Sequence, residues 1–231
     1  MSARDEVLSS IRRSLGVTGT EAPRVAAVGE RMARAPRGII PQRGQVTGEA
    51  RVKLFREQAE MVHATCAEVS HANEIPGEAA RYLRDNNLPA VLRMGADARF
   101  AALNWSATAL AVTCGPSEGD DLNSVSYAFA GIAETGTLML TAGADNPTTL
   151  NFLPDNHIAV IDEADIDGDY ESAFARLRAR YGKGQMPRVA NLVTGPSRSG
   201  DIEQKLLLGA HGPRRLHIVI VRGGGATPSQ S

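Results

Sequence analysis

Three short segments of the sequence bring together side chains that could do chemistry. The first is AETGT, residues 133–137, which leads into an apolar segment with the pattern of a strand. Glu134 supplies a carboxylate that could act as a general base, as a nucleophile or as an anchor for a substrate hydroxyl. Thr135 and Thr137 supply hydroxyls, and Gly136 lets the backbone turn tightly or approach a ligand closely. In the structural alternative, Glu134 only accepts hydrogen bonds from backbone N–H groups of a turn.

The second segment, LVTGPSRSGDIE at residues 192–203, follows another predicted strand. We predict a helix over 200–208, and the free N–H groups at the start of a helix favour an anion. Arg198 could hold a carboxylate or a phosphate through two parallel hydrogen bonds. In the structural alternative Ser199 or Asp201 caps this helix. Asp201 and Glu203 would also repel an anion if they faced the same pocket. The segment has neither a Walker A nor a GxGxxG pattern, so it does not specifically indicate a nucleotide.

The third segment is GAHGP, residues 209–213, between that predicted helix and the last strand. Histidine is the side chain best suited to proton exchange at neutral pH, so His211 could exchange protons with the acidic residues of the second segment. The structural alternative is that a cationic histidine stabilises a helix C-terminus and that the glycine–proline pair ends the helix. Asn156 and His157 could also reach a ligand, but polar residues at the start of a buried strand usually bond to backbone.

The elements that must position these segments alternate between helix and strand from residue 49 onward. We predict helices over 49–63, 76–86, 97–104, 170–181 and 200–208, and a helical turn over 124–132. We predict strands over 64–70, 89–94, 108–114, 137–142, 157–162, 189–193 and 216–221. Short apolar strands that alternate with helices indicate an α/β fold with a mostly parallel sheet and helices on both faces. Ligands in such folds bind beyond the carboxyl ends of the strands.

The N-terminal part of the chain differs from this pattern. Residues 4–15 have the spacing of an amphipathic helix, whereas 16–48 are rich in glycine, proline and arginine and predict a linker or arm. Residues 1–56 hold 11 Lys+Arg and 5 Asp+Glu, a net charge of +6, and the remaining 14 against 21 give −7. Such an arm packs on an acidic neighbour or on its own domain more often than it binds nucleic acid. We predict a helix and basic arm, an α/β domain and a disordered tail: 1–48, 49–222 and 223–231.

The composition argues against several classes of protein. The 231 residues carry 25 Lys+Arg and 26 Asp+Glu, and this balance argues against a dedicated nucleic-acid binder or a membrane-surface protein. No apolar run approaches the roughly 18–20 residues of a membrane span, and the N-terminus lacks the apolar core of a signal peptide. We therefore expect a cytoplasmic protein. Cys66 and Cys114 lack metal-ligand spacing, so we expect no metal cofactor built from this chain's own cysteines.

Three longer stretches carry a resemblance to a known family: TGPSRSGDIEQKLLLGAHGPRRLHIVIV at 194–221, IAETGTLML at 132–140 and PDNHIAVI at 154–161. They resemble the LUD-domain family, in its lactate utilization protein C-like branch, over roughly residues 50–222. The resemblance implies a fold of the NagB/RpiA/CoA-transferase-like type with an N-terminal helical extension. It also implies a part in the oxidation of L-lactate to pyruvate, beside partner proteins that carry iron–sulfur clusters.

The family's motif residues map onto the three segments described first: Glu134, Thr135, Gly136, Thr137, Ser197, Arg198, Asp201, Glu203, His211 and Gly212. We expect Arg198 to pair with the carboxylate of lactate, and Glu134 or His211 to take the hydroxyl proton. Two alternatives stay open. The chain could be a non-catalytic assembly or regulatory subunit that docks through its basic arm. By analogy of fold alone, it could also be a CoA-transferase-like or sugar-phosphate-isomerase-like enzyme that uses Glu134.

Overall fold

The computed structural model describes residues 2–34, 36–202 and 205–223, and the chain divides into two compact units, Met1–Ile39 and Ile40–Ser231. The first unit holds helices α1 (Ala3–Leu15) and α2 (Ala22–Arg34). α1 begins with a capping box, in which Ser2 Oγ accepts a hydrogen bond from Asp5 N–H and the Asp5 carboxylate accepts one from Ser2 N–H. The boundary between the units follows Ile39, whereas the sequence placed it after residue 48.

Residues 22–34, within the predicted linker or arm over 16–48, form the helix α2, and none of its described side chains is buried. Pro23 stands in the first turn of this helix, where its missing N–H has no intrahelical partner to lose. A proline taken as a sign of a loop therefore marks the start of a helix.

The second unit contains helices α3 to α7 and strands β1 to β12 within its described residues. The helices are α3 (Gly48–Met61), α4 (Ile75–Asp85), α5 (Ala98–Ala101), α6 (Thr148–Phe152) and α7 (Tyr170–Tyr181). The first six strands are β1 (Thr65–Val69), β2 (Val91–Met94), β3 (Ala111–Cys114), β4 (Asn123–Tyr127), β5 (Ala130–Ile132) and β6 (Thr137–Thr141). The other six are β7 (Asn156–Asp162), β8 (Ile166–Asp167), β9 (Ala190–Val193), β10 (Arg198–Ile202), β11 (Lys205–Leu208) and β12 (Arg215–Val221).

The main sheet has six strands in the order β1-β12-β7-β4-β2-β3, and each neighbouring pair is parallel. A second sheet has the order β8-β5-β6-β9, with antiparallel β5–β6 and β6–β9 pairs. Strands β10 and β11 pair separately as an antiparallel hairpin. The α/β fold with a mostly parallel sheet is thereby confirmed.

The core consists of three apolar clusters, which divide the second unit into layers. One face of the main sheet packs against α4 through side chains that include Ile75 and Leu83. Its other face packs against α3 and the second sheet, through side chains that include Phe55 and Leu140. α7 packs on the second sheet through Ala173 and Leu177, in a cluster with Met139 from β6. Helices therefore cover both faces of the main sheet, as the sequence predicts.

The predicted helical turn over 124–132 is wrong, because these residues form β4 and β5. Along β4, Val125 and Tyr127 belong to the cluster with α4, while Ser124 and Ser126 point to the opposite face. This alternation has the two-residue period of a strand. All residues of β4 and β5 are buried, and a buried run does not by itself distinguish a strand from a helix.

The predicted helix over 200–208 is also wrong, because the β10–β11 hairpin occupies this part of the chain. Its pairs include Arg198 with Leu208 and Ile202 with Lys205. A short apolar run such as the leucines of β11 fits a strand as well as a helix. The anion site predicted at a helix N-terminus therefore has no helix to form it. Asp201 is a residue of strand β10, and Glu203 lies outside the described residues.

Candidate functional site

A cavity of about 260 Å³ lies between the main sheet and the segment that follows β9. His157 and Leu216 line it from the main sheet, where they are register partners near the starts of β7 and β12. The cavity is thus at the amino-terminal ends of these two strands. We expected it beyond the carboxyl ends of strands, and among the strands that line it only β9 contributes its carboxyl end. Its volume is near the lower limit of small-molecule sites, about 300 Å³, so it suits a small ligand.

Hydrogen bonds through Ser197 join the second and third sequence segments at the mouth of the cavity. The N–H of Ser197 donates to the carbonyl of Pro213 at 2.8 Å, and its own carbonyl accepts from Gly209 N–H at 3.1 Å. The N–H of His211 donates to Ser197 Oγ at 3.1 Å. Residues 194–198 and 211–213 consequently line one cavity together. The structure thus brings Ser197, Arg198, His211 and Gly212 to one place.

A chain of hydroxyl groups supports this lining from behind. Thr137 Oγ1 lies 2.7 Å from Thr135 Oγ1 and 2.7 Å from Thr194 Oγ1. The hydroxyl of Tyr170 lies 3.3 Å from Thr135 Oγ1 and 3.2 Å from Thr137 Oγ1. Thr194 is a lining residue of the cavity, whereas Thr135 and Thr137 are not. The threonines of the first segment therefore act on the cavity through Thr194.

Two glycines allow both segments to pack against the end of α3. Gly136 has a φ of 64°, and a Cβ there would collide with the backbone nitrogen of Ala59. Gly195 has a φ of 75°, and a Cβ there would collide with the carbonyl oxygen of Val62. Both the left-handed conformation and the close approach require glycine. The glycine at position 136 is accordingly required for packing against α3.

Glu134 lies away from the cavity, at the junction of β8 and α7. Its N–H donates to the carbonyl of Gly168 at 3.0 Å, and its Oε1 accepts from the N–H of Tyr170 at 3.0 Å. A carboxylate at the N-terminus of α7 stabilises the helix electrostatically. The residue is 4% exposed. This geometry matches the structural alternative, and it gives no support to Glu134 as a base or covalent nucleophile.

A buried polar network, the polar floor (Ser126, Asn151 and His157), lies beneath the cavity. Ser126 Oγ lies 3.0 Å from Asn151 Oδ1 and 2.7 Å from His157 Nε2. Asn151 and His157 line the cavity and are each 1% exposed. Among the described residues, neither Asn151 Nδ2 nor His157 Nδ1 has a hydrogen-bond partner. Burial lowers the pKa of His157 to about 4, so the imidazole is neutral at physiological pH.

Arg198 supplies the positive charge of the site. Its side chain is exposed and lines the cavity. His211 is also exposed at this mouth. A guanidinium beside a neutral polar floor can bind a small anion that carries a further polar group.

Sequence reasoning missed two of the three residues of the polar floor. His157 was a minor candidate, while Ser126 and Asn151 were not singled out. The available signal was the alternation of serines with apolar residues in the segment SVSYAF, because serine rarely occurs repeatedly in a fully buried strand without a polar partner.

The cysteines do not gather into a metal site. Cys66 lies in β1 and Cys114 in β3, and these are the two edge strands of the main sheet. No group of three or more His, Cys, Asp or Glu side chains suitable for a metal ion occurs in residues 2–34, 36–202 and 205–223. Over the same residues, no helix has both the length and the apolar character needed to cross a membrane.

Comparison with known proteins adds a family match. Residues 124–221 match the model of the LUD domain. Lactate utilization protein C from Geobacillus sp. (strain WCH70) is 35% identical over 98 residues, which are 42% of this chain and 41% of that relative. Lactate utilization protein C from Geobacillus thermodenitrificans (strain NG80-2) is 27% identical over 94% of this chain and 95% of its own length.

A solved structure shares the fold. The crystal structure of a DUF162 family protein from Deinococcus radiodurans matches with a TM-score of 0.56 at 24% sequence identity. The match covers 76% of this chain and 99% of that protein. The likeness agrees with the α/β architecture of the second unit.

Proposed function

We propose that this chain, whose residues 124–221 match the LUD domain and which is similar to lactate utilization protein C, serves lactate utilization by binding a small carboxylate in the cavity. The proposed ligand is lactate or its oxidation product pyruvate. The observation that carries the proposal is the exposed side chain of Arg198, which supplies a positive charge to the lining of a cavity of about 260 Å³. A carboxylate can satisfy it with two parallel hydrogen bonds.

The proposed setting is an iron–sulfur-dependent system that oxidises L-lactate to pyruvate. Removal of two electrons from the substrate requires an acceptor, and side chains alone do not supply one. Iron–sulfur clusters need several thiolates close together, whereas Cys66 and Cys114 stand at opposite edges of the main sheet. We therefore place the clusters in partner proteins and the organic-acid site in this chain.

Calorimetry with L-lactate and pyruvate tests the site. Arg198→Gln should weaken binding roughly 10- to 100-fold, since a charge-assisted hydrogen bond contributes about 1.5–3 kcal/mol. The matched control is Arg84→Gln, which changes an exposed arginine on α4 that pairs with neighbouring Asp85 and should bind like the wild type. If the wild type binds neither acid at millimolar concentration, the proposal is wrong.

A second candidate is an assembly role for the first unit. Among the described side chains of α1 and α2, none is buried, and α2 carries Val25, Val28 and Met32 at helical spacing. Residues 1–39 hold 7 Lys+Arg and 4 Asp+Glu, a net charge of +3. An amphipathic basic helix can dock on an acidic partner surface.

Deletion of residues 2–39 separates the two candidates. The cut spares Gly44, which packs closely against Gly168 in the second unit. Loss of co-purification with an iron–sulfur partner, together with intact lactate binding, would assign docking to the first unit. Normal co-purification would exclude it as the docking element.

A further inference from the structure

We infer that the polar floor makes the cavity selective for 2-hydroxycarboxylates, with the substrate hydroxyl donating to His157 Nδ1 and the carboxylate accepting from Asn151 Nδ2. The inference rests on the proposed function, because it concerns the same cavity. It adds the chemical class of ligand that the cavity prefers and the residues that set this preference.

The arrangement of hydrogen atoms in the polar floor follows from its contacts. Asn151 Oδ1 can only accept, so Ser126 uses its single hydroxyl hydrogen for that bond at 3.0 Å. The oxygen of Ser126 must then accept from His157 Nε2, 2.7 Å away. This assigns the proton of the neutral imidazole to Nε2 and leaves a lone pair on Nδ1. Ser126 thereby determines the tautomer of His157.

The two unpartnered atoms of the polar floor form a complementary pair. His157 Nδ1 can only accept a hydrogen bond in this tautomer, and Asn151 Nδ2 can only donate. Leaving a buried donor or acceptor unsatisfied has a free-energy cost for each group. Both atoms are buried, both residues line the cavity, and no described residue satisfies either atom. A ligand that satisfies both removes this cost on binding.

A 2-hydroxycarboxylate fits the pair because a hydroxyl donor and a carboxylate acceptor stand on adjacent carbons. Arg198 can take the remaining carboxylate oxygen at the mouth of the cavity. A 2-oxocarboxylate has a carbonyl oxygen in place of the hydroxyl, and this oxygen would face the lone pair of Nδ1. A plain carboxylate leaves Nδ1 unsatisfied. Sites built to hydrogen-bond a substrate hydroxyl discriminate strongly against analogues that lack it.

The binding experiment compares L-lactate, pyruvate and propionate by calorimetry on the full chain. We expect the wild type to bind L-lactate at least tenfold more tightly than either of the other acids. Ser126→Ala should reduce this preference, because without the Ser126 hydroxyl the proton of His157 is no longer held on Nε2. Ser124→Ala is the matched control: this serine is also buried in β4, but its hydroxyl donates to Leu150 O, so the preference should persist.

Nitrogen-15 NMR of the histidine side chains of the unaltered protein gives an independent test that needs no variant. We expect His157 to show an unprotonated Nδ1 whose resonance moves on addition of L-lactate and not of propionate. A protonated Nδ1, as a reversed Asn151 amide would produce, overturns the inference.

The outcomes separate the inference from the proposed function. Equal binding of all three acids overturns the selectivity and leaves carboxylate binding at Arg198 intact. Binding of none of them overturns both. An unchanged preference in Ser126→Ala overturns the part assigned to the polar floor.

Discussion

The hydroxyl of Thr137 lies 2.7 Å from that of Thr194, which joins the start of β6 to the lining of the cavity. Thr137 is completely buried and has no surface in the cavity itself. The AETGT segment therefore contributes to the site by holding the residues after β9, and its own polar side chains need not touch a ligand. The predictions below test this division between residues that support the cavity and residues that line it.

Thr137→Val should lower the free energy of unfolding by about 1–3 kcal/mol, because it leaves buried hydroxyl partners unsatisfied while keeping the side-chain volume. Lactate binding should weaken only indirectly, through displacement of Thr194. Urea unfolding followed by calorimetry measures both effects. Thr113→Val, at an exposed position in β3, is the matched control and should stay within 0.5 kcal/mol of the wild type, roughly the range of surface substitutions. Equal stability of the two variants would contradict the hydroxyl chain.

Gly136→Ala should destabilise the second unit by about 2–4 kcal/mol. The alanine would have to adopt a left-handed backbone conformation, and its Cβ would collide with Ala59. Gly77→Ala is the opposite case, because a Cβ at this position in α4 meets open space. It should leave stability unchanged or raise it by about 0.5–1 kcal/mol. Thermal and urea unfolding of the pair measures the difference. A tolerated alanine at 136 would show that the loop can move away from α3.

Glu134→Gln should bind lactate like the wild type and lose only about 0.3–1 kcal/mol of stability, since the amide oxygen still accepts from Tyr170 N–H but the charge near the start of α7 is gone. Glu134→Ala removes the acceptor and should lose about 1–3 kcal/mol. If Glu134→Gln instead keeps full stability and abolishes lactate oxidation by the assembled system, Glu134 is the base that the sequence suggested.

The stability of the protein should fall as the pH drops from about 6.5 to about 4, because of His157. Burial lowers its pKa to about 4, whereas the unfolded chain has an ordinary histidine near 6.5. In this window the unfolded state binds a proton that the folded state does not, so acid favours unfolding. The loss over the whole window is about 3 kcal/mol.

Urea unfolding between pH 7 and 4.5 measures this slope, and His157→Gln should reduce it. Glu78 titrates in a lower window, because its hydrogen bonds with His217 and Arg81 outweigh burial and lower its pKa to about 2. Its stabilising effect is lost only below about pH 4.5. An identical slope in His157→Gln would contradict the neutral, buried imidazole.

The sequence predicted the elements whose apolar residues have a clear pattern, either a continuous apolar run or a helical spacing. The parallel strands rich in valine and isoleucine, such as β7 and β12, and the amphipathic helices α3, α4 and α7 agree with prediction within a few residues. The errors fall where periodicity is ambiguous. The buried stretch of β4 and β5 and the leucines of β11 fit either kind of element, and tertiary pairing decides between them.

The candidate site was predictable where residues adjoin in sequence and not where the sheet brings them together. Ser197, Arg198 and His211 lie in two short sequence segments whose chemistry is visible in the sequence. The polar floor joins Ser126 to His157, 31 positions apart, across neighbouring strands. No spacing in a single sequence indicates which strands are neighbours. The role of a buried serine such as Ser126 becomes visible only when the histidine on the neighbouring strand is known.

The two cysteines differ in exposure, so a single spectroscopic label can be attached to the protein at Cys114. Burial raises the pKa of Cys66 to about 12, so its thiol does not form the reactive thiolate near neutral pH. Cys114 is exposed in edge strand β3, which lies three strands, or about 14 Å, from β7. A maleimide dye should therefore attach at one place without any cysteine removed. Its fluorescence could report on occupancy of the cavity from a distance that leaves the ligand undisturbed.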